Sequence, residues 1–305
     1  MAQAFAAVDP PVANGWRAWR DRLLLQEDLN FLLTNRVPRI ALTRALGWFS
    51  AIRNPVVRDV SLAIWRLSSD LDLSDAKKTH FESLLDCFTR ELKPGARPLD
   101  PDASSLLSPC DGIVGAHGWI KRGQMLQAKG MPYRLAELLG SDEAARDAEG
   151  CAYVTIRLTS AMYHRFHAPH DGVLLDLHHL DGDTWNVNPI ALKRVERLFC
   201  RNERAAIRLR LAPSGSVMTL VPVAAVGVSG LRVHGVEGLM RAGEPGPQRH
   251  GLNREVQRGD ELGWFQHGST IIVVAPRGYR LRDDLLAGVR LRMGECLMRP
   301  VSNAS

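Results

Sequence analysis

Around residue 95 the chain changes texture, and this change limits its fold more than any other feature. The stretch "KPGARPLDPDA" (residues 93–103) contains Pro94, Gly95, Pro98 and Pro101, so no helix or strand runs through it. Before it the pattern is helical. Val57, Val60, Ile64 and Leu67 recur on one face. "THFE" places Thr79 and Glu82 as a capping box ahead of an apolar stripe of Phe81, Leu84, Leu85 and Phe88. After it come short runs separated by Gly, Pro, Asp or Asn: "YVTIRLT", "GVLLDLHHL", "AAIRLRL", "VMTLVPVAAVGV" and "TIIVVAP". "LAELLGSDEAARDAEG" reads as a short helix or loop set among them. The expected class is α+β, with a helical region over residues 1–95 and a mainly antiparallel, β-rich region over 96–305. The "DGIV" and "DGVL" turns suggest a barrel-sandwich-like arrangement of that sheet.

Composition excludes several classes. Five cysteines (87, 110, 151, 200 and 296) are odd in number, widely spaced and without a CxxC, which argues against a disulfide framework and a cysteine zinc site. The start "MAQAFAAVDPPVANGWRAWR" lacks a basic segment leading into a long apolar core, so no signal peptide is expected. The longest apolar run, "VMTLVPVAAVGVSGL", is broken by Pro222, Gly227 and Gly230 and falls short of a membrane span. Net charge is +6, unevenly spread. Between Asn30 and Arg66 six arginines (36, 39, 44, 53, 58 and 66) face one acid, Asp59, among Phe31, Leu32, Leu33, Trp48, Phe49 and Trp65. That mixture suits either a helical cap with solvated arginines or a surface lying on anionic lipid. No nucleic-acid motif accompanies it. The expected location is the cytoplasmic face of the cell membrane, peripherally bound.

Three polar clusters punctuate the β-rich part: "SPCDGIVGAHG" with Asp111, "MYHRFHAPHDG" with His164, His167 and His170, and "GWFQHGSTIIVVAPRG" with Ser269. Asp, His and Ser are the set that activates a hydroxyl nucleophile, the His taking the proton and the Asp orienting the imidazole. The G-x-S-x-G elbow is absent. Two other readings stay open on the residues alone. The three histidines could converge on a metal from a loop, although Pro169 and Gly172 argue against a regular helix through His170. Lys129 in "LQAKGMP" could be the attachment point of a carrier domain. Ser269 itself, at the mouth of an apolar strand, could be an ordinary turn residue.

Taken in order, "SPCDGIV", "LQAKGMPYRLAELLG", "YHRFHAPHDGVL", "VNPIAL", "FCRNERAAI" and "GDELGWFQHGSTIIVVAP" resemble the phosphatidylserine decarboxylase family over residues 70–278. The resemblance implies a proenzyme that cuts itself between Gly268 and Ser269, giving a β chain of 1–268 and an α chain of 269–305. The Ser269 hydroxyl attacks the Gly268 carbonyl, the resulting ester eliminates to dehydroalanine, and hydrolysis leaves a covalent pyruvoyl group. That group is the cofactor implied, and no metal is needed. A Schiff base with phosphatidylserine then loses CO2 to give phosphatidylethanolamine. By the same match Asp111, His167 and Ser269 form the self-cleavage triad, and His164 serves decarboxylation. Phosphatidylserine in an anionic bilayer and a homodimer are the implied partners. His267 departs from the pattern, since the family usually has an apolar residue there. It is either a tolerated swap or a source of pH-dependent maturation.

Overall fold

The computed structural model describes residues 38–128, 130–226, 230–238, 240, 242–243, 249–266 and 269–301. The expectations placed on Phe31, Leu32, Leu33, Arg36, Lys129, His267 and Gly268 lie outside these residues.

An eight-stranded antiparallel sheet forms the frame. Its order is Arg249–Val256, Gly172–Leu180, Arg204–Leu211, Val217–Ala224, Ser269–Val274, Ala152–Arg157, Gly112–Trp119, Arg290–Leu291. The strand that begins at Ser269 is thus interior, paired on one side with Val217–Ala224 and on the other with Ala152–Arg157. From Ile271 to Val274 its sequence is apolar without alternation because both faces are covered. Ile271 and Val273 pack with Phe166, Leu262 and Phe265 of a three-stranded sheet (Leu231–Val233, Glu261–Phe265, Arg165–His167). Ile272 and Val274 pack on the other face, against Leu135, Leu138, Leu198 and Phe199 of short helices. Each such side chain removed from water contributes about 1.5–3 kcal/mol. The class is therefore α+β with a mainly antiparallel sheet, as expected.

Local chemistry sets the helix boundaries. Asn54 caps the helix Pro55–Ser68, its side chain accepting the amides of Val56 and Val57, and Pro55 fills the first helical position. The short helix Leu84–Phe88 is capped by Ser83, whose hydroxyl accepts the Asp86 amide. Thr79 and Glu82 do not form the expected capping box: the serine directly before Leu84 is nearer the first turn. "LAELLGSDEAARDAEG" forms two helices, Leu135–Leu139 and Asp142–Asp147, divided by Gly140 in a left-handed conformation.

The basic N-terminal segment is only partly a free cationic surface. Arg39 ion-pairs with Asp183 at 2.5 Å and lies 3.8 Å over the Trp185 ring, docking the helix Arg39–Ser50 on the β-rich part. Arg53 pairs with Glu82, and Arg58 with Asp59. The helix Pro55–Ser68 presents a row of apolar side chains to solvent: Val56, Val60, Ile64 and Leu67 are 71%, 54%, 60% and 70% exposed. Its opposite side, with Leu62 and Trp65, packs on Ala76, Phe81 and Cys87.

Gly263 fastens the small sheet. A Cβ there would lie 2.0 Å from the Arg232 carbonyl oxygen and 2.9 Å from the Phe166 ring. Gly263→Ala is expected to cost about 1–3 kcal/mol by overpacking, a fall in melting temperature of roughly 3–10 °C. Gly251→Ala, where a Cβ meets nothing within 4 Å, is the control. Thermal melts of the two variants check this, and equal melting points would remove the steric argument.

Candidate active site

The segment Ser108–Gly112 enters the large sheet through a turn closed by the Ser108 hydroxyl on the Cys110 carbonyl at 2.8 Å. Gly112 passes beneath Ile156 so closely that a Cβ would sit 2.3 Å from its Cγ2. Asp111 is thereby fixed at the start of the strand Gly112–Trp119. Arg97 grips it with two bonds, Nε to Oδ1 at 2.9 Å and Nη2 to Oδ2 at 2.6 Å, and the Met293 amide donates to Oδ1 at 2.9 Å. Arg97 also holds Asp75 at 2.9 Å.

His167 lies on the adjoining segment, its amide donating to the Pro109 carbonyl at 2.8 Å. Its ring is held by two other groups. Nδ1 is 2.8 Å from the Gly259 carbonyl, and Nε2 is 3.0 Å from the Tyr163 hydroxyl. A carbonyl only accepts, so Nδ1 carries the proton and Nε2 offers its lone pair to the Tyr163 hydroxyl. Burial pushes the His167 pKa below the ordinary imidazole value and raises that of the Tyr163 phenol. His167 is therefore a neutral base, and Tyr163 remains a protonated donor. The structure thus joins the Asp111 and His167 segments, while the groups that touch the imidazole are Gly259 and Tyr163 rather than the Asp111 carboxylate.

His164 is fully buried. Its Nδ1 is 2.8 Å from the Met162 carbonyl, and its ring stacks on Phe88 with centroids 3.8 Å apart. Its own carbonyl accepts the Phe265 amide at 3.0 Å, on the segment that leads to Ser269. Ser269 lies opposite Ala224 in register. His170 turns elsewhere, its Nδ1 3.0 Å from the Asp171 carbonyl. Among the described residues no group of three or more His, Cys, Asp or Glu is arranged to hold a metal.

Two cavities meet at this wall. A polar cleft of about 420 Å³ is lined by Asp111, Met162, Tyr163, Arg90, Arg290 and Arg292. An apolar groove of about 450 Å³ runs between Phe49, Ile64, Trp65, Leu84 and Phe88. Ser160 lines both. His164 stands behind their shared boundary, against Phe88 of the groove and Met162 of the cleft.

A model of the family described as phosphatidylserine decarboxylase matches residues 84–299. The chain belongs to the phosphatidylserine decarboxylase family. It is similar to the phosphatidylserine decarboxylase proenzyme of Myxococcus xanthus, 34% identical over 264 residues, covering 85% of this chain and 94% of that one. The proenzyme of Halorhodospira halophila is 40% identical over 241 residues, 75% and 79% of the two chains. That of Saccharophagus degradans is 31% identical over 287 residues, 90% and 98%. Membership makes this chain a decarboxylase, a lyase acting in phospholipid biosynthesis. Sequence reasoning missed several residues at this candidate site. Arg97 sat inside the breaker-rich stretch taken as a boundary, Tyr163 inside a motif read only for its histidines, and Phe88 in an apolar stripe.

Proposed function

We propose that this chain is a self-processing, pyruvoyl-dependent phosphatidylserine decarboxylase, cleaved between Gly268 and Ser269 into a β chain of 1–268 and an α chain of 269–305. The observation that carries the proposal is the place of Ser269 at the start of an interior strand. A new terminus made there stays held by the strands on either side. The surroundings fit a small carbonyl group. Ala224, opposite Ser269, has the smallest side chain after glycine. A pyruvoyl group at that terminus supplies an electrophile for the substrate amine and a sink for the electrons left by departing carbon dioxide.

The chain's own residues do the rest. His167 takes the Ser269 proton through Nε2 once the Tyr163 hydroxyl yields it, and the Gly259 carbonyl keeps the ring in the tautomer that makes this possible. Arg97 and the Met293 amide hold Asp111, which keeps the "SPCDG" turn against His167. His164, buried at the junction of polar cleft and apolar groove, holds the substrate carboxylate or delivers the proton that replaces it. The adjoining cavities suit an amphiphile, with the headgroup in the cleft and an acyl chain in the groove. Among the described residues no helix is long and apolar enough to cross a membrane. The exposed Val56, Val60, Ile64 and Leu67 face rests on an anionic bilayer, peripherally at the cytoplasmic face.

The test is a denaturing gel with intact mass. Two chains divided at 268/269, the small one lacking a free amine, are expected. Borohydride with phosphatidylserine should fix lipid on the small chain, and EDTA should leave activity intact. A single uncut chain that decarboxylates phosphatidylserine, or activity lost to EDTA and restored by zinc, would overturn the proposal. Sedimentation with phosphatidylserine vesicles tests the surface: protein remaining in the supernatant removes the bilayer from the reading.

A further inference from the structure

Three polar side chains next to Ser269 lack partners among the described residues. Thr270 is fully buried and Thr155 nearly so, and neither hydroxyl makes a hydrogen bond. Arg157 is partly buried, and its guanidinium has neither a hydrogen bond nor an ion pair. Register brings the three together. Arg157 lies directly opposite Thr270, and Thr155 opposite Ile272. Residues directly opposite share a face, as do residues two apart on one strand. Thr155, Arg157 and Thr270 therefore occupy neighbouring positions on one face at the end where the Ser269 strand begins. The row runs on from Arg157 through Ile113 to Arg290, which lines the polar cleft.

A buried hydroxyl left without a partner costs free energy, and so does a desolvated cation. Burial lowers the Arg157 pKa, with no carboxylate to offset it. Arg97 contrasts with it, since Asp111 and Asp75 both compensate it. A guanidinium with two hydroxyls beside it is an anion site awaiting its anion.

We propose that Arg157, Thr155 and Thr270 bind the phosphodiester of the substrate headgroup, placing the serine moiety at residue 269. This rests on the family reading above and adds a specificity site to it. Phosphatidylserine offers two anions. The carboxylate is lost in the reaction, and a cation gripping it would stabilise the ground state and oppose that loss. The phosphodiester is unchanged from substrate to product, so a cation there binds and orients without opposing the chemistry.

The experiment compares Arg157→Gln, Arg157→Lys and Thr155→Val with the wild-type protein, using phosphatidylserine in nonionic-detergent micelles and phosphatidylethanolamine as product inhibitor. Arg157→Gln is expected to form two chains and to raise KM about ten- to a hundredfold, the range for a lost charged hydrogen bond. It should weaken inhibition by phosphatidylethanolamine by a similar factor, because the product retains the phosphodiester. Arg157→Lys should fall between. Thr155→Val should melt higher than wild type while raising KM, since it removes an unpaired buried hydroxyl that only the substrate satisfies. An unchanged KM in Arg157→Gln overturns the site. A raised KM with product inhibition intact assigns Arg157 to the carboxylate and overturns the phosphodiester. An uncut Arg157→Gln chain assigns it to maturation and overturns it equally. Failure of the family reading looks different, because wild-type protein then shows no blocked small chain.

Discussion

Ser269→Ala should leave one uncut chain without decarboxylase activity, the largest effect expected of any substitution here. Alanine has no hydroxyl to attack the preceding carbonyl, so neither the break nor the carbonyl terminus can form. The loss should be selective. Residue 269 begins an interior strand whose next residues, Thr270 to Val274, keep both sets of partners, so the variant should melt close to the wild-type precursor. Ser269→Cys retains a nucleophile and should cut, slowly or to a hydroxylamine-sensitive thioester. Ser269→Thr retains the hydroxyl but adds a branch beside Ala224 and should cut more slowly than serine. The measurement is a time course of the two-chain pattern with the mass of the small chain. A cut and active Ser269→Ala protein would show that the break, or the cofactor, lies elsewhere.

The strand that carries this prediction was legible in the sequence, and parts of its setting were not. "TIIVVAP" announces a buried strand because six residues without a polar alternate have to be covered on both faces. Which strands flank it is a matter of long-range pairing: Val217–Ala224 lies about fifty residues upstream and Ala152–Arg157 more than a hundred, and no local pattern encodes that order. His164, His167 and Asp111 were found by motif. Their partners escaped because they are backbone groups or sit in stretches read for other residues. The Gly259 carbonyl has no residue-type signature, and Arg97 was read for the prolines around it. The N-terminal arginines show the opposite error. Charge counting left Arg39 as either a solvated side chain or a lipid contact, whereas the fold uses it to pin a helix to Asp183 and Trp185. The apolar repeat over Val60, Ile64 and Leu67 marked one face of a helix, and that face meets solvent, since hydrophobic spacing gives the side of a helix but not what covers it.

The two histidines should fail in different steps. His167 is buried and neutral, with its lone pair at Nε2. His167→Ala removes the base that makes the Ser269 hydroxyl a nucleophile, and maturation should slow by about 10²–10⁴. Asp111→Asn should also remain largely uncut. If Asp111 acts by holding the turn through its bond to Arg97, Arg97→Gln should reproduce the defect. The pH profile follows from the sign of the His167 shift. Burial lowers its pKa, so the imidazole stays neutral at and above the ordinary value of about 6.5 and charges only in more acid solution. Maturation should therefore be nearly flat from pH 8 to 6.5 and decline below. A rate already halved at pH 7 would mean a base whose pKa is not depressed. His164 is held by other groups. It stacks on Phe88 and bonds to Met162, at the boundary of the two cavities. His164→Ala should still cut, because Ser269 and His167 remain, yet release carbon dioxide at least a hundredfold more slowly, the proton delivery being lost. Gels and carbon dioxide release, read on the same preparations, separate the steps. If His164→Ala stays uncut while His167→Ala matures, the roles are exchanged. If both mature and turn over normally, neither imidazole moves the proton, and the triad assignment is wrong.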